Sequence, residues 1–296
     1  MSKPEFRCAR YLIAALTAAA CTTTGSSTTT GSSASATSSS ASVQTSSLPP
    51  DAGRALARLN SSPRHGEYAM IKVGPSDSLR LWVVYPERKT KAPVVVVVHE
   101  IFGLSDWIRG VADQLAADGF IAVAPDFLTM KNLPRGSDSA ATQAAVAAIR
   151  TLDAAQVQRM IDAAAQYGMA LPAAQQRYGV VGFCWGGGIS FAHAVHSPTL
   201  GASVVYYGTS PPTPQLTNVR APVLGLYGGN DARVDATIPP ADSAMKAMGK
   251  TYTPTIFEGA GHGFLRQQAG ANGANMTATQ QAWPATIAWF KKYLDS

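Results

Sequence analysis

The stretch Tyr178-Gly179-Val180-Val181-Gly182-Phe183-Cys184-Trp185-Gly186-Gly187-Gly188 decides how the chain is read. Its first half, Tyr178 to Phe183, is apolar and carries paired valines, the pattern of a strand buried in a sheet. Its second half is rich in glycine and leads into a helical pattern from Gly187 to His196. At the junction, Gly182, Cys184 and Gly186 match the G-x-S-x-G elbow, in which a nucleophile sits on a tight turn between strand and helix, with cysteine in the serine position. The glycines have a steric task, because a strained turn needs neighbours without Cβ atoms on both sides. The start of the following helix favours negative charge on the sulfur. The alternative for Cys184 is a buried structural cysteine beside a glycine-rich turn.

Around this segment the chain alternates strands and helices. Val94 to Val98 is five valines in a row, a β-branched run that fits a parallel strand buried on both faces. Ile108, Val111, Ala112, Leu115 and Ala116 then recur with helical spacing, opened by Ser105 or Asp106 and closed by Gly119. Next come a strand at Phe120 to Ala124 and a long Ala-rich helical region ending near Met169. Beyond the elbow, strands are expected at Ala202 to Tyr207, Val223 to Tyr227 and Tyr252 to Phe257. Helices are expected around Ala241 to Met248 and up to Leu294. Glu67 to Val73 and Leu79 to Tyr85 read as an antiparallel hairpin at the sheet edge. The fold class is therefore α/β: one domain from Pro49 to Ser296, with a mostly parallel central sheet and helices on both faces. In such folds the site lies beyond the carboxyl ends of the strands.

Two further strand ends carry chemistry. One holds Tyr227-Gly228-Gly229-Asn230-Asp231, and the next Glu258-Gly259-Ala260-Gly261-His262-Gly263-Phe264. Nucleophile, acid and histidine thus occur in the chain order of the α/β-hydrolases, each just past an expected strand. Asp235 or Asp126 are the alternatives for the acid, and Asp231 would otherwise be a turn residue capping a helix. His65, His99, His193 and His196 lack the glycine-flanked setting and read as surface or satisfied core residues.

From Val94 to Leu294 the sequence resembles the dienelactone hydrolase (carboxymethylenebutenolidase) family. The segments that carry the resemblance are His99 to Leu104, Pro125 to Leu128, Gly182 to Gly187, Tyr206 to Gly208, Gly229 to Asp231 and Gly261 to Arg266. The resemblance implies a hydrolase of esters or enol-lactones. Cys184 would be the nucleophile, His262 its base, Asp231 the group that orients His262, and Glu100 a fourth member that helps take the thiol proton when substrate enters. Otherwise Glu100 is a strand-end glutamate in a salt bridge. Arg266 matches an arginine that holds a substrate carboxylate, the alternative being a surface salt bridge. Arg135 stands at a suitable distance to be a second such arginine, although the segment before it departs from the family pattern. By position, the backbone N–H groups of Ile101 and Trp185 would hold the oxyanion. Neither cofactor nor metal is implied, and the partner expected is a small ester or lactone, met by a monomer. Two other classes stay open: a general carboxylesterase or peptidase on the same fold, and a non-catalytic exported binding protein.

The first 48 residues read as an address and a tether. Lys3, Arg7 and Arg10 precede an apolar run from Tyr11 to Ala20 that is too short to span a bilayer, the layout of a signal peptide over residues 1–20. Ala18-Ala19-Ala20-Cys21 is similar to a lipoprotein processing site, which would make Cys21 a lipid anchor; an ordinary A-x-A cleavage is the alternative. From Thr22 to Ser47 every residue except Val43 and Gln44 is Ser, Thr, Gly or Ala, a composition that cannot offset the entropy of ordering. Residues 21–48 are thus expected to be a flexible linker, and the protein to be exported, periplasmic or lipid-anchored to a bacterial membrane. Cys8 leaves with the leader, so Cys184 has no partner for a disulfide within the domain. The net charge is +6, with no basic run longer than Lys291-Lys292, so a nucleic-acid partner has no electrostatic footprint.

Overall fold

The computed structural model describes residues 47–131, 133 and 139–295. The leader, Cys21, the Ser/Thr-rich segment up to Ser46, and Arg135 lie outside them. In chain order the elements are α1 (Ala55–Ser61), β1 (Gly66–Lys72), β2 (Ser78–Val84), β3 (Ala92–Val98), α2 (Asp106–Ala117), β4 (Ile121–Asp126), α3 (Ser139–Ile149), α4 (Ala154–Ala170), β5 (Ala174–Phe183), α5 (Trp185–His196), β6 (Ala202–Tyr206), β7 (Val223–Gly228), α6 (Ala232–Asp235), α7 (Ile238–Ala247), β8 (Tyr252–Phe257) and α8 (Ala274–Leu294).

The strands form one eight-stranded sheet in the order β1-β2-β4-β3-β5-β6-β7-β8. The expected hairpin is present: β1 pairs antiparallel with β2, and β2 pairs antiparallel with β4. All remaining pairings are parallel. The valine run shows why β3 lies inside the sheet. Val94, Val96 and Val98 face a core shared with α4 and α7, while Val95 and Val97 face the opposite core, shared with α1, α2 and α8. All five are fully buried, so neither face of this strand has room for a polar residue.

Capping groups set the ends of the helices near the site. Ser105 Oγ accepts the Ile108 N–H at 3.4 Å to open α2, and Gly119, at φ +104°, turns the chain back toward β4. The long Ala-rich helical region consists of two helices. It breaks at Thr151-Leu152-Asp153, where the Asp153 carboxylate accepts the Gln156 N–H at 2.7 Å and starts α4 afresh. Alanine favours helix equally on both sides, so propensity alone does not mark this break. Helix α5 begins at Trp185, two residues earlier than the sequence suggests, and β5 begins at Ala174, four residues earlier. Helix α1 has no counterpart in the sequence expectation; its Ala55 is buried against α2.

Candidate active site

Three loops that follow β5, β7 and β8 meet a fourth that follows β3. At the elbow, Cys184 has φ 57° and ψ −117°, a positive φ outside the usual left-handed well. The glycines explain how the chain tolerates it. A Cβ on Gly182 would lie 1.8 Å from the Gly186 carbonyl oxygen, and one on Gly186 would lie 2.4 Å from the carbonyls of Val98 and His99. Strand, elbow and helix therefore pack backbone against backbone. The Cys184 N–H donates to Tyr206 O at 3.1 Å, and its carbonyl accepts from the Gly187 N–H at 3.0 Å.

The loops after β7 and β8 are fastened to each other before they present their side chains. Asn230 donates its backbone N–H to Ala260 O and its side-chain amide to Gly259 O, both at 2.9 Å. Asn275 Oδ1 accepts the Gly261 N–H at 2.9 Å. On this frame His262 Nδ1 lies 2.5 Å from Asp231 Oδ2. Asp231 is 8% exposed and stands at the start of α6, without capping it through its side chain. Of the other acids considered, Asp126 pairs with Arg80 at 2.7 Å and accepts the Leu128 N–H, while Asp235 Oδ1 is buried without a hydrogen bond.

Glu100 follows β3 and is 4% exposed. Its Oε2 lies 3.2 Å from Arg266 Nε, close enough for an ion pair, yet the N–H is not aimed at it and neither atom completes a hydrogen bond. The Arg266 guanidinium also stacks over the Phe102 ring, 4.7 Å from its centroid. Burial, only partly opposed by Arg266, pushes the Glu100 carboxyl up to about 7. Burial and then the Glu100 charge push the Cys184 thiol up, with Asp231 adding to the rise; the Trp185 backbone N–H and the Arg233 charge pull it the other way.

The four other histidines sit elsewhere in the structure. His99 is fully buried, Nδ1 lying 2.7 Å from Glu100 O and Nε2 accepting the Phe127 N–H at 3.3 Å, which fixes the turn that carries Glu100. His193 contacts Gln158 and Tyr178 in the core, His196 lies 3.0 Å from Asp162, and His65 is exposed beside Glu67. Among the described residues, no group of three or more His, Cys, Asp or Glu is placed to hold a metal.

A cavity of about 510 Å³ opens from Cys184. Ile101 and Trp185 form its near wall, with Gly188, Ile189 and Ala192 of α5 beyond them. The loop from Thr209 to Pro212, together with Gln215 and Arg233, completes the lining. Two residues at this site were given no role by the sequence. Tyr207 is at φ 39°, fully buried, with its ring 5.2 Å from that of His262 and its hydroxyl without a partner; Arg233 lies on α6, two residues after Asp231. For Tyr207 the signal was available in its position at a strand end, directly before Gly208. For Arg233 only its distance in sequence from Asp231 pointed to the site.

A mostly parallel sheet with this strand order, a glycine-flanked strand–turn–helix elbow carrying Cys184 after β5, and an aspartate and a histidine after β7 and β8 define an α/β-hydrolase. Residues 79–294 match the model of the family described as "Dienelactone hydrolase family", and the chain belongs to it. A protein of Methylorubrum extorquens named "Putative carboxymethylenebutenolidase" is 33% identical over 216 residues, covering 68% of this chain and 72% of that one. An Escherichia coli protein of the same name is 28% identical over 266 residues, covering 85% and 97%. The crystal structure of a "Putative Dienelactone Hydrolase" from Klebsiella pneumoniae superposes with a TM-score of 0.67 at 25% identity, covering 77% of this chain and all of that one. Membership of the family makes the protein a hydrolase of the lactone or ester type.

Proposed function

We propose that the protein hydrolyses carboxylate-bearing esters or enol-lactones through Cys184 and a thioester intermediate. The observation that carries this reading is Cys184 held at positive φ on the elbow, at the mouth of a cavity, in a site that also contains a hydrogen-bonded His262–Asp231 pair. Asp231 accepts the Nδ1–H of His262, which fixes the tautomer and leaves Nε2 as the basic nitrogen. At rest, burial and the Glu100 charge keep the thiol protonated, and Arg266 keeps Glu100 occupied. A substrate carboxylate that pairs with Arg266 competes for that guanidinium and frees Glu100. With its carboxyl pushed up to about 7, Glu100 is then a base strong enough to share in taking the thiol proton.

Sγ attacks the carbonyl carbon, and the carbonyl electron pair moves onto an oxygen held by the N–H groups of Ile101 and Trp185. Collapse of this intermediate forms the thioester and breaks the carbon–oxygen bond; the leaving oxygen takes up the proton that His262 and Glu100 drew from the thiol. His262 then removes a proton from water, whose oxygen attacks the thioester. The acid product departs, and the proton returns to the sulfur. The reading includes export of the chain with Cys21 as its lipid anchor, which would hold the enzyme at a membrane surface while its substrates arrive from the surrounding solution.

The test is hydrolysis by the full chain across lactones and esters with and without a carboxylate, compared with Cys184→Ala. The variant is expected to lose hydrolysis and keep a cooperative unfolding transition, since alanine fits the elbow. Activity within tenfold of the wild type in Cys184→Ala would overturn the cysteine mechanism.

A further inference from the structure

The lining of the cavity includes Cys184 but neither Arg266 nor Glu100. Along α5 it reaches from Trp185 to Ala192, about 10 Å at the helical rise. Its apolar lining comes from Ile101, Trp185, Ile189, Ala192, Pro211 and Pro212, and Thr209, Ser210 and Gln215 add polar points. One cation lines it. Arg233 is an exposed residue of α6, two positions after Asp231, and among the described residues no carboxylate lies within ion-pair distance of its guanidinium. Arg266, by contrast, already has Glu100 and the Phe102 ring. An apolar trough with one uncommitted cation on its wall suits an extended hydrocarbon arm that ends in an anion.

We infer that Arg233 is a specificity-determining residue: it takes a carboxylate on the arm of the substrate that lodges in this trough. The substrate class follows, on the reading of the site given above. It is an ester or lactone of a dicarboxylic acid, or of a hydroxy acid, with one charged group near the scissile carbonyl at Arg266 and another at the end of a short hydrocarbon chain at Arg233. The pairing is non-covalent and adds no step to the reaction. It acts on substrate capture, so its mark is in KM more than in kcat.

Two measurements on the full chain test this. The first is independent of any hydrolysis: the rates at which iodoacetate and iodoacetamide alkylate Cys184, read by peptide mass spectrometry so that Cys8 and Cys21 do not contribute. The two reagents differ in charge, so their rate ratio reports the field along the approach to Sγ. Arg233→Gln is expected to lower the iodoacetate to iodoacetamide ratio by about 3- to 10-fold, and Arg233→Lys to restore much of it; raising the salt should shrink the effect. The second uses activated esters with a carboxylate-terminated or a methyl-terminated chain, placed once on the acyl side and once on the alcohol side. In one of the two series, Arg233→Gln should reduce the charged-over-neutral ratio of kcat/KM at least tenfold, mainly through KM. An unchanged alkylation ratio, or equal losses on charged and neutral esters in both series, would overturn the assignment of Arg233. If the wild type cleaves none of these esters, the hydrolytic reading fails on its own, and the alkylation ratio still decides the role of Arg233.

Discussion

Replacing Glu100 by Gln separates what the fold gains from what the chemistry needs. In the folded protein the Glu100 carboxyl is pushed from 4.5 up to about 7, by burial that Arg266 only partly offsets. Below 4.5 both folded and unfolded chains hold the proton. Between 4.5 and 7 the folded chain keeps a proton that the unfolded chain releases, so stability falls as pH rises through this window and is level above it. At 4% exposure, solvent screens little of this, and a shift of this size corresponds to about 3 kcal/mol. Gln is neutral at every pH and has nearly the same shape. The stability of Glu100→Gln minus that of the wild type should therefore climb by about 3 kcal/mol across the window, which for a domain of this size is roughly 6–12 °C in Tm. Urea and thermal unfolding of the full chain between pH 4.5 and 8.5 measure it. The same variant should hydrolyse carboxylate-bearing esters at least tenfold more slowly, while iodoacetamide alkylates Cys184 faster near pH 8, because the charge that raised the thiol is gone. Parallel stability curves for variant and wild type would refute the assignment of a buried, ionising carboxylate at this position. Faster hydrolysis would refute its part in proton removal.

Other outcomes follow from the same geometry. His262→Ala should cost as much rate as Cys184→Ala, and Asp231→Asn should leave more residual activity, since it removes orientation and charge but not the base; a larger loss in Asp235→Asn than in Asp231→Asn would move the acid to Asp235. Arg266→Gln should lower kcat/KM for carboxylate-bearing lactones by about ten- to a thousandfold and affect neutral esters much less; equal losses would mean that Arg266 only supports the histidine loop. Gly182→Ala should destabilise the protein by at least about 3 kcal/mol in urea unfolding, because its Cβ would meet a carbonyl oxygen rather than a side chain that can move. Labelling with a radioactive fatty acid in a bacterial host should tag the full chain and fail to tag Cys21→Ala; an unlabelled, soluble product in the parent would replace lipidation by simple secretion.

How far the sequence makes the structure legible depends on whether the determining contacts are local. The valine run of β3 announces burial on both faces by itself, and the elbow announces itself through glycines within two residues of Cys184. The placement of Asp231 and His262 just past β7 and β8 was legible because each follows a strand pattern, with glycine two residues before Asp231 and on both sides of His262. The break between α3 and α4 was harder, since alanine on both sides gives no periodic contrast, although Asp153 is a capping residue in plain view. The early start of β5 through Ala174, Gln175, Gln176 and Arg177 runs against strand composition and comes from pairing with β3, where Ala92 lies opposite Ala174. The pairing of Glu100 with Arg266 joins loops far apart in sequence. Arg233 follows Asp231 by two residues, yet its place in the cavity lining depends on the turn of α6, which closeness in sequence alone does not fix.

The glycine contacts at the elbow bear on how this site can change over generations. A methyl group on Gly182, Gly187 or Gly208 would fall 1.8, 2.4 or 2.1 Å from backbone atoms of a neighbouring segment. Backbone has no rotamers with which to step aside, so each of these positions is closed to every other amino acid without separating β5, α5 and β6. Position 184 is different: its side chain opens onto the cavity, and the frame around it does not depend on which atom is at the tip. Serine could replace the sulfur there with no rearrangement of the chain. Exchange of Cys184 for serine is a single-codon event on a rigid mount, whereas the mount itself admits almost no substitution.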